Sequence, residues 1–167
     1  NILERTNSIL EAFNQCHAKK FIFVFIGGAI YENASKIPTP ENYSAHPNSL
    51  YGLANLIIEK YIQTFCQKNN LNFVILRLSN VYGPKQWKSG IIPSIVEKLL
   101  AGENPIIYGD GKQTRDFVYI DDAVEALVLA AKNGGNEIYN IGCGKEISLN
   151  NAFKIIAGHA GSKTRPV

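Results

Sequence analysis

The chain has 167 residues, of which 46% are hydrophobic and 10% aromatic. This composition excludes a disordered chain, and the length suffices for one domain with a substantial core. Seventeen basic and 14 acidic residues give a formal net charge of +3, which is too weakly basic to indicate a nucleic-acid partner. No apolar run approaches the roughly 20 residues that a membrane span requires.

The three cysteines, Cys16, Cys66 and Cys143, lie far apart in the sequence, and none belongs to a C-x-x-C pair. An odd, scattered set is a poor disulfide framework and a poor zinc site. We therefore expect no metal site and a reducing, cytoplasmic compartment. We interpret all three cysteines as small buried hydrophobic residues.

The first half of the chain alternates between helices and strands. Residues 2–17 and 49–69 carry apolar side chains near helical spacing, so we predict a helix in each segment. Residues 21–26 and 73–78 are continuous apolar runs, the pattern of strands that are buried on both faces of a parallel sheet. A polar loop with three prolines separates the first strand from the second helix. This alternation predicts part of a doubly wound α/β fold.

The second half of the chain has shorter elements and predicts a smaller α+β lobe. We place the boundary between the two domains after residue 89, which gives domains of 1–89 and 90–167. The predicted elements of the lobe are, in order, a helix over 91–100, strands at 106–108 and 116–120, a helix capped by Asp121, a strand at 137–141 and a helix capped by Ser148.

The glycines do not form a dinucleotide-binding loop. Such a loop needs a G-x-G-x-x-G run between a strand and a helix, so that backbone N–H groups can approach the pyrophosphate. The sequence contains no such run. Gly27 and Gly28 follow a strand but lead into the proline-containing loop. The segment 142–145 lacks the Ser or Thr of a phosphate loop, and we interpret it as a turn.

Tyr51 stands at the start of the predicted 49–69 helix, directly after the long loop. The residue four positions later, Asn55, lies on the same helix face. A lysine at that spacing lowers the pKa of a tyrosine from ~10 towards neutral, so that the phenolate can act as a general base. Asn55 keeps a hydrogen-bond donor but has no charge. The alternative interpretation of Tyr51 is an ordinary half-buried aromatic residue.

Two further polar residues lie next to predicted strands. Asn80 follows the strand at 73–78, and ligands of open α/β sheets bind outside the carboxyl ends of the strands. Arg115 opens a short predicted strand, and its guanidinium offers a two-point contact that is suited to a phosphate. The alternative for Arg115 is a solvated charge or a salt bridge with Asp116 or Asp121.

Several of these positions fall within longer patterns. The patterns are 21–31, similar to S-S-G-G-A-V-Y-G; 49–55, similar to S-P-Y-G-x-S-K; 76–84, similar to L-R-x-x-N-V-Y-G-P; 109–122, similar to G-D-G-x-Q-T-R-D-F-V-Y-V-D-D; and 137–148, similar to E-x-Y-N-I-G-x-G-x-x-x-S. In their order and spacing they resemble the NAD-dependent epimerase/dehydratase family, the extended short-chain dehydrogenases that act on nucleotide sugars. The resemblance covers nearly the whole chain.

The resemblance implies the C-terminal part of a doubly wound, Rossmann-like parallel sheet and a smaller α+β substrate-binding lobe. Residues 1–89 would be a partial NAD-binding domain without its glycine fingerprint, because the family pattern begins here at its fourth helix. Residues 90–167 would be a nucleotide-sugar-binding lobe that is incomplete at its C-terminus. Dehydratase relatives have an acidic residue where this sequence has the segment 27–29, and its absence favours the 4-epimerase branch.

The resemblance also implies roles for particular residues. Tyr51 corresponds to the catalytic tyrosine, which accepts a sugar hydroxyl proton while C4 gives hydride to the nicotinamide of NAD. Asn80 and Arg115 correspond to residues that contact the pyrophosphate of a UDP-sugar. The stretch 106–108, which includes Tyr108, would hold the base, and Ile92 would line that pocket. UDP-glucose and UDP-galactose are the expected substrates.

Two positions depart from the family pattern. Asn55 replaces the family lysine, which with Tyr51 would contact the cofactor, and Ile26 replaces a family serine. Two alternatives therefore stand. The chain is a segment of an NAD-dependent 4-epimerase, or it is a non-catalytic remnant that binds a nucleotide sugar or a partner protein at an open sheet edge. The resemblance further suggests a homodimer through the helices at 2–17 and 49–69.

Overall fold

We analysed a computed structural model of the chain, which describes residues 2–31, 34–87, 90–162 and 164–166. The elements in chain order are α1 (Ile2–Gln15), β1 (Phe21–Ile26), a 3-10 turn (Gly27–Ala29), α2 (Leu50–Lys68), β2 (Phe73–Leu78), β3 (Asn80–Tyr82), α3 (Ile91–Leu100), β4 (Thr114–Arg115), β5 (Phe117–Tyr119), α4 (Ile120–Asn133), β6 (Glu137–Ile141), β7 (Ile147–Ser148) and α5 (Leu149–His159).

Strands β1, β2 and β6 form a parallel sheet in which β2 lies between the other two. Phe21 pairs with Phe73 at the start of β1 and β2, and Val74 pairs with Glu137 at the start of β6. Residues 73–77 of β2 are all buried. The apolar run therefore does become an interior strand of a parallel sheet, as the sequence predicts.

Helices cover both faces of this sheet. On one face, Ile75 packs with residues of α1 and α2, including Leu10, Ile58 and Ile62. On the opposite face, Val74 and Leu76 pack against α4. Successive residues of β2 thus enter different cores, as the two-residue period of a strand requires. This layering confirms the predicted doubly wound α/β class.

The chain divides into two compact units. The first comprises Asn1–Ser79 and Asp121–Ile141, and the second comprises Asn80–Ile120 and Gly142–Val167. This division differs from the predicted boundary after residue 89. The physical reason is that β6 pairs with β2 and α4 packs on the same sheet, so both belong with the first unit although they are distant in sequence.

The second unit is built from α3, α5 and short strand pairs. Strand β3 runs parallel to β5, with Asn80 opposite Phe117, and β4 runs antiparallel to β7, with Arg115 opposite Ile147. Helices α3 and α5 share a small apolar core, to which Ile107 also contributes. The buried members of this core are Ile95, Leu99, Ile107, Leu149, Phe153 and Ala157.

Several predicted element boundaries are corrected by the structure. The segment 106–108 is not a strand: Pro105 precedes it, and the Tyr108 carbonyl accepts a hydrogen bond from the Gln113 side chain rather than from a neighbouring strand. Helix α4 already begins at Ile120, so Asp121 lies in its first turn instead of preceding it. The Ser148 side chain does cap α5, accepting the Asn151 N–H at 3.2 Å.

Candidate functional site

The start of α2 holds Tyr51 in a fixed backbone position. The Ser49 hydroxyl caps the helix by accepting the Gly52 N–H at 3.1 Å. A Cβ atom at Gly52 would lie 2.0 Å from the Ala29 carbonyl oxygen and 2.9 Å from Pro47 Cβ, so only glycine fits there. The first turn of α2 is therefore pressed against the segment that follows β1. The Tyr51 side chain itself is 56% exposed.

Asn55 is turned towards its own helix. It is only 8% exposed, and its Nδ2 donates to the Tyr51 carbonyl oxygen at 3.0 Å. The structure thus brings Tyr51 and Asn55 together, but through the backbone of Tyr51 and not through its phenol. Since Asn55 is neutral and short, it supplies neither a charge nor a long-range donor beside that phenol.

The end of β1 carries no hydroxyl group. Ile26 is 45% exposed, and Gly27 after it packs so tightly that an added Cβ would lie 2.6 Å from Arg77 Cβ. The family pattern would place a serine hydroxyl at Ile26 and an ammonium group at Asn55. Neither donor is present at positions 26 and 55, so these two residues do not fit the nicotinamide and ribose of NAD.

A buried polar cluster lies at the carboxyl ends of the strands, and the sequence analysis did not identify it. Arg77 on β2 donates to both carboxylate oxygens of Glu59 on α2, and it also donates to the Tyr31 hydroxyl and the Glu41 carbonyl oxygen. Burial alone would lower the pKa of Arg77, but the Glu59 carboxylate outweighs it and raises that pKa.

The same cluster fixes the proline-containing loop. The Asn140 N–H on β6 donates to the Glu41 carboxylate at 3.0 Å, and its side-chain amide donates to the Thr39 carbonyl oxygen at 2.9 Å. The Tyr31 hydroxyl in turn donates to the Asn140 side-chain oxygen. The sequence does contain a signal for this cluster: Arg77 lies within an apolar strand, and Glu59 lies within the apolar stripe of a helix. Charged residues in such positions are rarely buried without a partner of opposite charge.

In the second unit, Asn80 is hydrogen-bonded to Asp116, the residue that follows Arg115. The Asn80 N–H donates to the Asp116 carbonyl oxygen at 2.9 Å, and the Asn80 Nδ2 approaches the same oxygen at 3.3 Å. Asn80 on β3 and Arg115 on β4 therefore lie in the same unit but in different strand pairs, β3–β5 and β4–β7, and Asp116 links them.

Arg115 is exposed, and its charge is not neutralised. Its Nη1 donates to the Thr114 carbonyl oxygen at 2.7 Å, and it forms no ion pair within the part of the chain that the structure describes. The Asp116 carboxylate instead accepts the N–H groups of Cys143 and Gly144. Of the two alternatives for Arg115, a salt bridge with a neighbouring aspartate is not found among the described residues, whereas a solvated surface charge fits its exposure. A guanidinium in this state is available to an anion.

Ile92 and Tyr108 also belong to the second unit. Ile92 is half-buried in the first turn of α3, and Tyr108 is 81% exposed beside the turn that the Asn150 side chain fixes at the Asp110 carbonyl oxygen. Among the described residues, no hydrogen bond joins Tyr108 to Asn80 or Arg115. Their roles in holding a base stay predictions.

The cysteines correct one expectation. Only Cys66 is buried, whereas Cys16 and Cys143 are exposed, and all three are free thiols. Burial raises the pKa of the Cys66 thiol to about 11.

In residues 2–31, 34–87, 90–162 and 164–166, no cluster of side chains suited to a metal ion occurs. None of the helices described there is both long and apolar enough to cross a membrane.

The parallel sheet, its helices on both faces and the polar groups that follow its strands define a Rossmann-like α/β protein. The particular family follows from its sequence. The model of the NAD dependent epimerase/dehydratase family matches residues 1–142, and the chain belongs to that family. This confirms the resemblance that the segments between residues 21 and 148 indicated.

Individual relatives are similar over nearly all of this chain. The putative UDP-glucose 4-epimerase of Methanocaldococcus jannaschii is 42% identical over 164 residues, which are 96% of this chain and 53% of that protein. The crystal structure of Thermotoga maritima UDP-glucose 4-epimerase with UDP-glucose gives a TM-score of 0.94 at 41% identity, covering 97% of this chain and 54% of that one.

The Thermus thermophilus UDP-glucose 4-epimerase complex with NAD gives a TM-score of 0.88 at 30% identity, covering 97% of this chain and 55% of that one. The chain therefore spans about half the length of the relatives that it matches. The family of the chain and its Rossmann-like fold are shown by these similarities.

Proposed function

We propose that this chain is the nucleotide-sugar-binding part of a UDP-glucose 4-epimerase-type protein. The observation that carries the proposal is the exposed Arg115, which forms no ion pair among the described residues and directly precedes Asp116, the hydrogen-bond partner of Asn80. An arginine without a carboxylate partner is a strong donor for a pyrophosphate. Two relatives named above, a putative UDP-glucose 4-epimerase and a UDP-glucose 4-epimerase solved with UDP-glucose, support UDP-glucose as a ligand, and we propose UDP-galactose as the second one.

In this proposal the two units have different tasks. Arg115 and Asn80 bind the pyrophosphate, and Tyr108 and Ile92 contact the base. Tyr51 is the proton acceptor for the sugar hydroxyl. NAD, which the family uses, would supply hydride transfer at C4. Because Asn55 and Ile26 do not fit its nicotinamide riboside, we expect weak or no NAD binding and no epimerase turnover by this chain alone.

Isothermal titration calorimetry with UDP-glucose tests the binding site. We expect measurable affinity for the native chain and a roughly ten- to hundredfold loss for Arg115→Ala, because a charge-assisted hydrogen bond contributes about 1.5–3 kcal/mol. Arg5→Ala removes the same charge from an exposed position on α1 and should bind as the native chain does. Absence of binding by the native chain, or equal binding by Arg115→Ala, would contradict the proposal.

The second candidate function is binding without catalysis, and Asn55 favours it. Its buried side chain is engaged with its own helix, so Asn55 does not take over the role of the family lysine beside the Tyr51 phenol. The double variant Asn55→Lys with Ile26→Ser restores both family groups. We expect that it still does not interconvert UDP-galactose and UDP-glucose, because the sequence has no glycine fingerprint for the NAD pyrophosphate.

Calorimetry with NAD and turnover assays of the double variant test whether this chain takes part in catalysis. Micromolar affinity of the native chain for NAD would overturn the expectation of weak cofactor binding, and turnover by the double variant would favour the catalytic candidate.

A cytoplasmic localisation, which the three free thiols support, also belongs to this proposal.

A further inference from the structure

Arg115 and Asp116 are adjacent in sequence and opposite in charge, yet they do not neutralise each other. An aspartate beside an arginine commonly pairs with it, and such a pair would compete with an anionic ligand for the guanidinium. Here the Arg115 guanidinium bonds only to the Thr114 carbonyl oxygen among the described residues.

The Asp116 carboxylate is held by two successive backbone amides. The Cys143 N–H donates to Oδ1 at 2.9 Å, and the Gly144 N–H donates to Oδ2 at 2.8 Å. Each oxygen thus has its own donor, and the exposed segment between β6 and β7 is fixed at this point. Bonds from N–H groups to an ionised carboxylate are stronger than those between neutral groups.

The backbone of Asp116 completes the arrangement. Its carbonyl oxygen accepts the Asn80 N–H at 2.9 Å and lies 3.3 Å from the Asn80 Nδ2. Arg115, one residue earlier, pairs with Ile147 in the β4–β7 ladder. A single residue therefore joins β3, which carries Asn80, to the 142–144 segment and to the strand that carries Arg115.

We propose that Asp116 is a positioning residue of the anion site: it aligns Asn80 with Arg115 and, because two amides engage its carboxylate, leaves the guanidinium charge free for a pyrophosphate. This inference rests on the proposed function, since it assumes that Arg115 and Asn80 bind that group. Asp116 itself does not touch the ligand in this arrangement.

The test compares UDP with uridine, which lacks the phosphates, as ligands of the full chain in calorimetry. Asp116→Ala removes the carboxylate but keeps the carbonyl bond to Asn80, so it should weaken UDP binding about tenfold through the Arg115 contact and leave uridine binding unchanged. Asp116→Asn keeps one acceptor for the amides, so its affinity for UDP should lie between those of the native chain and Asp116→Ala. The control Asp110→Asn makes the same chemical change at an exposed turn of the same unit and should bind as the native chain does.

Tighter binding of UDP by Asp116→Ala than by the native chain would overturn the inference. If Asp116 merely neutralised Arg115, its removal would free the guanidinium, and Asp116→Ala would bind UDP more tightly than the native chain. Equal loss of UDP and uridine binding would indicate general damage to the unit and would also overturn it. Circular dichroism and thermal melting verify that both Asp116 variants fold, with Asp116→Asn as the milder change.

Backbone amide exchange measured by NMR provides a readout that does not depend on the ligand. The Cys143 and Gly144 amides should exchange at least about tenfold faster in Asp116→Ala than in the native chain, because they lose their acceptor. If the native chain binds no UDP, both the proposed function and the positioning role of Asp116 are wrong. If the native chain binds UDP and Asp116→Ala binds it equally well, the positioning role alone is wrong.

Discussion

Arg77 and Glu59 form a two-point ion pair in the interior of the first unit. Arg77 Nε lies 2.7 Å from Glu59 Oε2, and Arg77 Nη2 lies 2.6 Å from Glu59 Oε1. The Glu59 side chain is fully buried, and that of Arg77 is 4% exposed. The pair joins β2 to α2, and through the further bonds of Arg77 to Tyr31 and Glu41 it also anchors the loop that leads to Tyr51.

Glu59→Gln should destabilise the protein by about 3 kcal/mol. The substitution removes the negative charge and leaves the buried Arg77 guanidinium without a counterion, and breaking a buried pair from one side costs far more than the pair contributes as a whole. The free energy of unfolding, measured by urea denaturation, checks this value. A loss below about 1 kcal/mol would contradict the expectation.

Glu103→Gln is the matched control for this change, since Glu103 pairs with Lys98 on the surface of the second unit. The charge pair there is solvated, and its loss should leave the urea midpoint unchanged. A further control is the double variant Glu59→Gln with Arg77→Met, which removes both buried charges. It should be more stable than Glu59→Gln alone.

The elements with strong local patterns could be predicted from the sequence. The apolar period over 49–69 gives α2, and the continuous apolar run gives β2, because each pattern reflects what a single element buries. The cap at Ser148 followed from a hydroxyl preceding an apolar run. Such features depend on a few neighbouring residues, so a sequence is sufficient to recognise them.

Features that depend on contacts between distant segments could not be predicted. Strand β6 joins β2 across about 60 residues, which moves 121–141 into the first unit. The bonds from the 142–144 segment to Asp116 likewise depend on how the chain returns. At the candidate site, the sequence predicts Asn80 and Arg115 as binding residues, but it could not show that the carboxylate of Asp116 is engaged by the amides of Cys143 and Gly144.

Gly52→Ala should destabilise the protein by about 2 kcal/mol or more. The added Cβ would lie 2.0 Å from the Ala29 carbonyl oxygen, and a backbone atom cannot move aside as the end of a flexible side chain can. Gly28→Ala is the matched control, because a Cβ at Gly28 meets no atom within 4 Å. Urea denaturation of both variants measures the difference, and equal stability would be the contrary result.

The free thiols should differ sharply in reactivity. Burial raises the pKa of Cys66 to about 11, so at pH 8 only about one Cys66 thiol in a thousand is ionised. We expect Ellman's reagent to titrate Cys16 and Cys143 rapidly in the folded protein, and Cys66 only after unfolding in urea. Cys143→Ser should lower the rapid count from two to one. Rapid modification of Cys66 in the folded chain would contradict its burial.

The raised pKa of the Cys66 thiol also predicts how the stability of the protein depends on pH. The folded state holds the Cys66 thiol neutral, because its pKa is raised above the ordinary value of 9.0. The associated stability is therefore present below pH 9 and is lost as the pH rises towards 11. Cys66→Ala removes this titration, so its urea midpoint should fall less steeply than that of the native chain over that interval. Parallel slopes for the two proteins would be the contrary outcome.

An exposed apolar stripe on α2 is the surface through which we expect two copies of the chain to associate. Leu50, Leu53 and Ile57 lie on one helix face and are between 44% and 87% exposed. Ile57→Glu places a charge in that stripe and should raise the dimer dissociation constant at least about a hundredfold, since an unpaired charge is costly to bury. Sedimentation equilibrium measures this constant. Ile155→Glu introduces the same charge on α5, where the isoleucine is 54% exposed, and should leave it unchanged. A native chain that sediments as a monomer, or equal dissociation constants for both variants, would exclude this surface as the dimer interface.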